Sequence, residues 1–91
     1  MTLSPVFQKA VEDLNKLKEE PSADDRLRLY GLYKIAHNVE SQKPSRLSYD
    51  MKAKYKYNAW KELKDSGITS EEAQEQYVEL ANALIQKIGF A

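Results

Sequence analysis

Apolar residues recur three and four positions apart in four segments of this 91-residue chain, and a proline, a glycine or a polar stretch ends each segment. Residues with this spacing share one face of an α-helix and can pack against neighbouring helices. The sequence shows no internal repeat. The pattern predicts an all-α fold of four helices without strands, formed as one domain by residues 1–91.

Start and stop signals give approximate bounds for the predicted helices. The bounds are Pro5 to Glu20, Ala23 to Asn38, Ser48 to Lys64, and the residues between Thr69 and Gly89. Ser4 and Ser22 are the predicted N-caps of the first two helices, and Thr69 and Glu72 form a capping-box pattern, which is typical of a helix start. Ser66-Gly67 is the predicted stop of the third helix. Residues 37–47 are polar and contain Pro44, so a longer connection is expected there. One long connection among short ones argues against a simple up-and-down bundle.

Composition excludes several kinds of functional site. The chain has no cysteine, which rules out disulfides, thiolate metal sites and a cysteine nucleophile. It has one histidine, no glycine-rich phosphate loop and no cluster with metal-ligand spacing. His37 stands at the predicted end of the second helix, where an imidazolium would interact favourably with the last carbonyls. We therefore predict no enzymatic activity, no metal and no cofactor.

The apolar runs are too short to span a bilayer, and the N-terminus lacks the pattern of a signal peptide. A soluble cytoplasmic protein is expected. Its formal net charge is zero, but the charges are segregated along the chain. Residues 26–64 carry ten Lys and Arg against three acids, residues 1–25 three against six, and residues 65–91 one against five. A local excess of positive charge suits a compact anion with a few charges.

Segment 48–63 places lysines and aromatic rings on every turn of the third predicted helix. Helical spacing groups them into adjacent stripes. The stripe predicted to enter the core comprises Met51, Tyr55, Ala59 and Leu63. The stripe predicted to line its edge comprises Lys52, Lys56 and Trp60, of which Trp60 is better suited to core packing. Lys54 falls on another side. Positive charge combined with flat rings indicates a ligand that carries phosphates and a base.

The second predicted helix has a polar face of similar chemistry. Its apolar side comprises Leu29, Leu32 and Ala36, and the other side comprises Tyr30, Tyr33 and Lys34. A tyrosine can stack its ring on a base while its hydroxyl reaches a phosphate. On the fourth helix Tyr77 shares a stripe with alanines and a leucine. Core packing and ligand contact are equally consistent with that position.

Taken together, these motifs resemble the acyl-CoA-binding protein family over almost the whole chain. The most specific part is Tyr-x-x-Tyr-Lys at 30–34 combined with Lys-x-x-x-Lys-x-x-x-Trp at 52–60. Further matches are Phe7, Ala10, Leu14, Leu17 and Pro21, then Leu-Tyr-Gly-Leu-Tyr-Lys-Ile-Ala at 29–36, and Thr-Ser-Glu-Glu-Ala at 69–73 followed by Tyr77-Val78. The resemblance implies an up-down-down-up four-helix bundle that binds a fatty acyl-CoA and catalyses nothing.

The resemblance also implies which side chains contact the ligand. At the adenine and the ribose 3′-phosphate they would be Tyr30, Tyr33, Lys34 and Lys56, and along other parts of the nucleotide or the pantetheine Lys52 and Tyr77. The implied role is intracellular transport of medium- to long-chain fatty acyl-CoA, with acyl-CoA-using enzymes as further partners. No nucleic acid and no stable membrane association are expected, and the protein is expected to be a monomer.

Several positions depart from the family pattern. They are Asn15 and Glu20, where basic residues are usual, Ile35 in place of glutamine, residues 37–39 in place of Thr-x-Gly, and Tyr57 in place of tryptophan. These changes leave acyl-chain preference and binding strength open. The competing interpretation is a small helical module whose basic segment, residues 48–64, binds nucleic acid or an acidic protein.

Overall fold

The computed structural model describes residues 3–45 and 49–91, and their regular structure is helical apart from one isolated β-bridge. The helices are α1 (Pro5–Leu14), α2 (Ala23–Ala36), α3 (Met51–Asp65) and α4 (Ser70–Ile88). The prediction of an all-α fold with four helices is confirmed over these residues. None of the four combines the length and the apolar character needed to cross a membrane.

Side-chain caps begin α1, α2 and α4 at the residues that the sequence indicates. Ser4 Oγ accepts a hydrogen bond from the Phe7 N–H at 3.0 Å, and Ser22 caps α2 in the same way. Both arms of the predicted capping box are present, because Thr69 and Glu72 each accept the other's backbone N–H at 3.1 Å. Local sequence therefore determines these helix starts.

The bounds of α3 follow from a carboxylate cap and a glycine. Asp50 accepts the Ala53 N–H at 3.2 Å, so the helix begins at Met51. The predicted start, Ser48, lies outside the described residues. After Asp65 the chain reaches Gly67, whose φ of 79° is in the left-handed region that favours glycine. The predicted stop is confirmed.

The first helix is shorter than predicted, since α1 ends at Leu14 and not near Glu20. The backbone of residues 16–18 pairs instead with residues 89–91, through hydrogen bonds of 3.0 and 2.9 Å and one antiparallel bridge. Backbone groups used in this pairing cannot also continue a helix. The partner lies at the far end of the sequence, which is why local spacing failed to indicate it.

A Schellman motif ends α2 at Ala36, two residues before the predicted end at Asn38. Asn38 adopts a φ of 55° and its N–H donates to the Ile35 carbonyl at 3.1 Å, while the Val39 N–H donates to the Lys34 carbonyl at 3.0 Å. Asparagine tolerates this left-handed conformation better than most residues. The motif turns the chain into the connection that leads to α3.

α1 and α4 run in the same direction. The Ser4 N–H donates to Gln74 Oε1 at 2.8 Å, and one turn further along both helices the ring centroids of Phe7 and Tyr77 lie 5.0 Å apart. The β-bridge then joins the segment after α1 to the residues after α4. The residue numbers of the contacting pairs increase along both helices, so α1 and α4 are parallel.

α2 runs antiparallel to α4. The last residue of α2, Ala36, accepts a hydrogen bond from Ser70 Oγ at the first turn of α4, at 2.7 Å. Earlier in α2, Arg28 donates to Gln76 further along α4, at 2.8 Å. The end of one helix therefore lies beside the beginning of the other.

α3 is parallel to α2. The Tyr30 ring lies beside the Lys56 ammonium, and Gly31, one residue later, lies beside Leu63 further along α3. Two parallel helices that follow each other in the sequence need a long connection, and residues 37–50 form the connection between α2 and α3. The four directions give the up-down-down-up order that the family resemblance implied.

Gly31 allows α2 to approach α3 closely. A Cβ atom at this position would lie 2.7 Å from Leu63 Cδ1 and 3.1 Å from the carbonyl oxygen of Ala59. The second contact is with backbone, which cannot move aside as a flexible side chain can. The absence of a side chain at Gly31 therefore sets how near the two helices come.

The hydrophobic core is formed chiefly by α1, α2 and α4. Its buried members are Phe7, Ala10, Leu29, Leu32, Ala36, Ala73, Tyr77, Ala81 and Leu84. Phe7 and Leu32 are the largest side chains that are almost completely buried. The predicted apolar sides of the first, second and fourth helices are thus the sides that pack.

The predicted core stripe of α3 is wrong over its first two turns. Met51 is 51% exposed and Tyr55 is 52% exposed, whereas Trp60, from the neighbouring stripe, is buried. Within the described residues α3 packs on α2 alone. One neighbouring helix covers one narrow side, which leaves Met51 and Tyr55 in solvent.

Candidate functional site

Three side chains from α2 and α3 meet around one aromatic ring. The Lys34 ammonium lies 5.7 Å from the centroid of the Tyr30 ring, and the Lys56 ammonium lies 5.5 Å from it. Lys34 follows Tyr30 by one helical turn, while the parallel packing of α3 on α2 supplies Lys56. We call Tyr30, Lys34 and Lys56 the cationic notch. Both distances are within the range of cation–π interactions.

A hydrogen bond fixes the hydroxyl end of Tyr30. Its Oη lies 2.8 Å from Ser41 Oγ, and Ser41 is buried although it belongs to the connection after α2. Next to it, Glu40 accepts a salt bridge from Lys64 of α3 at 3.1 Å. The connection is thus attached to both walls of the notch. Ser41 was not predicted as a site residue, because nothing in the local sequence indicates where the side chain of a loop serine points.

An apolar groove continues from the notch between α2 and α3. The cavity has a volume of about 350 Å³ and is lined by Ala23, Arg26, Leu27, Tyr30, Lys52, Tyr55 and Lys56. Leucine, alanine and tyrosine side chains offer apolar surface, and Arg26, Lys52 and Lys56 add positive charge to the lining. The arrangement suits an amphiphile with an anionic head.

Positive charge in this region is largely uncompensated by protein carboxylates. The ion pairs among the described residues are Lys9–Asp13, Arg26–Glu20, Lys61–Asp65 and Lys64–Glu40. Lys34, Lys52 and Lys56 belong to none of these pairs. Their charges are therefore available to an anionic ligand, for which charge-assisted hydrogen bonds are the strongest polar contacts.

Tyr33 and Tyr77 lie outside the cationic notch, in a cluster of rings formed with Phe7 and His37. Tyr33 and His37 have centroids 4.1 Å apart, and Phe7 lies 5.7 Å from His37 and 6.3 Å from Tyr33. Tyr33 is 38% exposed, so its ring also reaches solvent. The predicted site residues thus form two groups: Tyr30 of α2 with the lysines, and Tyr33 of α2 with Tyr77 of α4.

His37 and Phe7 were not predicted to lie beside these tyrosines. His37 is the C-cap of α2, as its position near the predicted helix end suggested, but its ring packs on Tyr33 and Phe7. Helical spacing could place Tyr33 and His37 one turn apart. The presence of Phe7 depends on how α1 packs, which the sequence does not specify locally.

Burial raises the pKa of Tyr77 to about 12, and the neighbouring Tyr33 phenol adds to the shift. The cause is that a phenolate among the rings of the cluster would lose most of its hydration. Tyr77 is only 6% exposed and packs edge-on against Phe7. At neutral pH this hydroxyl is therefore protonated.

We expect Tyr77 to lower the stability of the fold as the pH rises from about 10 to about 12. In that range the unfolded chain releases the phenolic proton and the folded chain keeps it, so rising pH favours unfolding. Below about pH 10 both states hold the proton and Tyr77 contributes no pH dependence. The loss should approach about 1.4 kcal/mol per pH unit.

Urea unfolding of the wild type and of Tyr77→Phe, followed between about pH 9 and about pH 12, measures this contribution. Other tyrosines and the lysines titrate in the same range, so the difference between the two proteins is the relevant quantity. Equal pH dependence in both proteins would contradict the assignment.

Within the part of the chain that is described, no group of three or more His, Cys, Asp or Glu side chains is placed to hold a metal ion. Two glutamates near helix starts have structural partners: Glu20 pairs with Arg26, and Glu72 completes the α4 cap. These carboxylates place negative charge near the starts of α2 and α4.

Comparison with known proteins shows which family the chain belongs to. The model of the family described as "Acyl CoA binding protein" matches residues 4–81. The chain belongs to the acyl-CoA-binding protein family. The acyl-CoA-binding protein of Saccharomyces cerevisiae is 36% identical over 85 residues, covering 93% of this chain and 95% of that protein. Acyl-CoA-binding protein homolog 1 of Caenorhabditis elegans is 40% identical over 92 residues, covering 98% and 99%.

Solved structures of the acyl-CoA-binding protein family have the same fold. The crystal structure of Oryza sativa Acyl-CoA-Binding Protein 2 superposes with a TM-score of 0.79 at 30% identity, covering 93% of this chain and 90% of that one. The solution structure of the yeast protein gives 0.72 at 36% identity, covering 94% and 98%. The four-helix bundle of this family is therefore the fold of the chain.

Two departures from the pattern of the acyl-CoA-binding protein family have visible partners. Glu20 pairs with Arg26, which also lines the groove, at 3.0 Å. Tyr57 packs on Trp60 with centroids 5.7 Å apart. The Glu20–Arg26 pair is exposed, so it contributes little to stability. Glu20 thus lies next to a residue of the groove lining, and Tyr57 lies beside the buried Trp60.

Proposed function

We propose that this protein binds medium- to long-chain fatty acyl-CoA thioesters through the cationic notch and the groove beside it. In this proposal residues 1–91 form one acyl-CoA-binding domain that acts in the cytoplasm. It transports the ligand, maintains an acyl-CoA pool for lipid metabolism, and catalyses no reaction. The observation that carries the proposal is the convergence of Lys34 and Lys56 on the Tyr30 ring.

The head group of coenzyme A matches the chemistry of the notch. It carries a 3′-phosphate and a pyrophosphate, and phosphate oxygens form short, strong hydrogen bonds with ammonium groups. The Tyr30 hydroxyl, held by Ser41 at 2.8 Å, can donate a further hydrogen bond after a rotation of its proton. We assign the 3′-phosphate to the notch and a second anionic group to Lys52.

The remaining predicted contacts have roles consistent with their positions. The Tyr33 ring is partly exposed and suits stacking on the adenine. Tyr77 packs behind it, with centroids 6.4 Å apart, and supports its orientation. The groove takes the pantetheine and the acyl chain, for which each buried methylene contributes about 0.8 kcal/mol. Affinity should therefore rise with chain length until the groove is filled.

Isothermal titration calorimetry with palmitoyl-CoA tests the proposal. We expect one site per chain, submicromolar affinity, and a negative heat-capacity change from burial of the acyl chain. Free coenzyme A should bind much more weakly, because it lacks that chain. Titration with a short DNA duplex is the control for the nucleic-acid interpretation. Tight, strongly salt-dependent DNA binding without palmitoyl-CoA binding would refute the proposal.

A further inference from the structure

An apolar surface at the beginning of α3 has no partner among the residues that the structure describes. Tyr49 is 97% exposed, Met51 is 51% exposed and Tyr55 is 52% exposed. Met51 and Tyr55 are one helical turn apart and share one side of α3. We call Tyr49, Met51 and Tyr55 the α3 stripe. Its side chains are large and mainly apolar, but residues 3–45 and 49–91 leave about half or more of each exposed.

Lysines flank the helical part of this stripe on both sides. At about 100° per residue, Lys54 lies roughly 80° to one side of the line through Met51 and Tyr55, and Lys52 lies roughly 80° to the other. Lys56 follows Lys52 by one turn. An apolar strip between two rows of long cationic side chains is the pattern of a helix that rests on a membrane surface.

The segregation of charge between α3 and α4 would orient the protein on an anionic surface. α3 carries five lysines against two acids, whereas α4 carries four glutamates against one lysine. Both α3 and α4 pack on α2, and among the described residues α3 and α4 do not pack on each other. An anionic surface would therefore attract the α3 edge of the molecule and repel the α4 side.

We propose that the α3 stripe is a reversible docking surface for an anionic lipid bilayer. Met51 and the two tyrosines enter the headgroup region, and the flanking lysines extend to lipid phosphates while their methylene stems cover apolar surface. Tyrosine is suited to this boundary because one end of its ring is apolar and the other is polar. Such contact is salt-sensitive and differs from stable membrane association.

The position of the ligand groove supports a bilayer over an acidic protein as the partner. Tyr55 belongs both to the stripe and to the groove lining, so docking places the groove beside the lipid phase. This part of the argument rests on the proposed function, because a long-chain acyl-CoA is an amphiphile that itself partitions into bilayers. Docking would shorten the path by which the ligand leaves the membrane.

Co-sedimentation with lipid vesicles, in the absence of acyl-CoA, tests the docking alone. We expect the protein to bind vesicles of phosphatidylcholine with phosphatidylserine at low ionic strength and to be released at about 0.5 M salt. Vesicles of phosphatidylcholine alone should bind at least tenfold less. The double variant Tyr49→Ser with Met51→Ser should lose at least fivefold in binding to the anionic vesicles.

Matched controls separate binding through the α3 stripe from nonspecific hydrophobic binding, and they test the contribution of the flanking charge. Val6→Ser with Phe90→Ser removes two other exposed apolar side chains, 63% and 48% exposed, and should leave vesicle binding unchanged. Lys54→Glu should weaken it, because it reverses a flanking charge. Equal binding by the stripe variant and the wild type, or equal binding to both vesicle types, would overturn the proposal.

The same variants separate this inference from the proposed function. Tyr49 and Met51 do not line the groove, so the double variant should keep the palmitoyl-CoA affinity of the wild type in vesicle-free solution. If the vesicle results are as expected for every variant but no protein, including the wild type, binds palmitoyl-CoA, the docking surface is supported and the proposed function is refuted. If palmitoyl-CoA binds and vesicles do not, the docking inference fails.

Discussion

Replacing Lys34 and Lys56 together by alanine is expected to weaken palmitoyl-CoA binding at least a hundredfold. Each ammonium in the notch offers one charge-assisted contact to a phosphate, and such contacts contribute roughly 1.5–3 kcal/mol each. The two lysines approach the same ring, so their effects need not be additive. Calorimetric titration of the double variant and of both single variants measures the loss and the coupling.

The control removes two lysines that lie elsewhere. Lys9 pairs with Asp13 on α1 and Lys61 pairs with Asp65 on α3, and neither belongs to the notch or the groove. Lys9→Ala with Lys61→Ala changes the net charge equally, so it reports any general electrostatic attraction of the anionic ligand. We expect at most a few-fold loss. If both double variants lost affinity equally, the notch would not be the binding site.

Phe7→Ala is expected to lower the free energy of unfolding by about 3–5 kcal/mol. The Phe7 side chain is 1% exposed, and its ring contacts three others, with the closest centroid, that of Tyr77, at 5.0 Å. Removing it leaves a cavity between α1, α2 and α4 and takes away the ring-to-ring contacts as well. For a domain of this size that is a large share of the total stability.

Chemical denaturation by urea measures this loss, with Val6→Ala as the control. Val6 precedes Phe7 on α1 and is 63% exposed, so its truncation should change stability by less than about 0.5 kcal/mol. Equal midpoints for Phe7→Ala and the wild type would show that the ring cluster does not support the bundle.

Features with local causes could be predicted from the sequence. Ser4 and the Thr69–Glu72 pair cap their helices as expected, because a cap needs only residues within one turn of the helix start. The apolar sides of α1, α2 and α4 followed from spacing for the same reason. The stop after α3 required only the backbone freedom of Gly67.

Features that depend on distant partners could not be predicted. α1 ends at Leu14 because residues 16–18 pair with residues 89–91, which no local pattern indicates. Met51 and Tyr55 have helical core spacing but remain exposed, because spacing does not reveal how many neighbours a helix has.

The candidate site shows the same division. Tyr30 and Lys34 are one turn apart, so their proximity follows from the sequence, whereas the position of Lys56 beside them required the packing of α3 on α2. The family resemblance implied that packing. The resemblance did not indicate that Ser41 would meet the Tyr30 hydroxyl, since that contact depends on the path of an irregular connection.

The residue at position 31 determines the width of the groove between α2 and α3. It contributes no side chain to the cavity, yet its bare backbone determines the spacing of the two walls, α2 and α3. A methyl group there would push against the Ala59 carbonyl oxygen and move α3 away from α2, which widens the cleft without replacing any side chain that lines it. A substitution at Gly31, which is not part of the groove lining, is therefore expected to change the size of the ligand that the groove accepts.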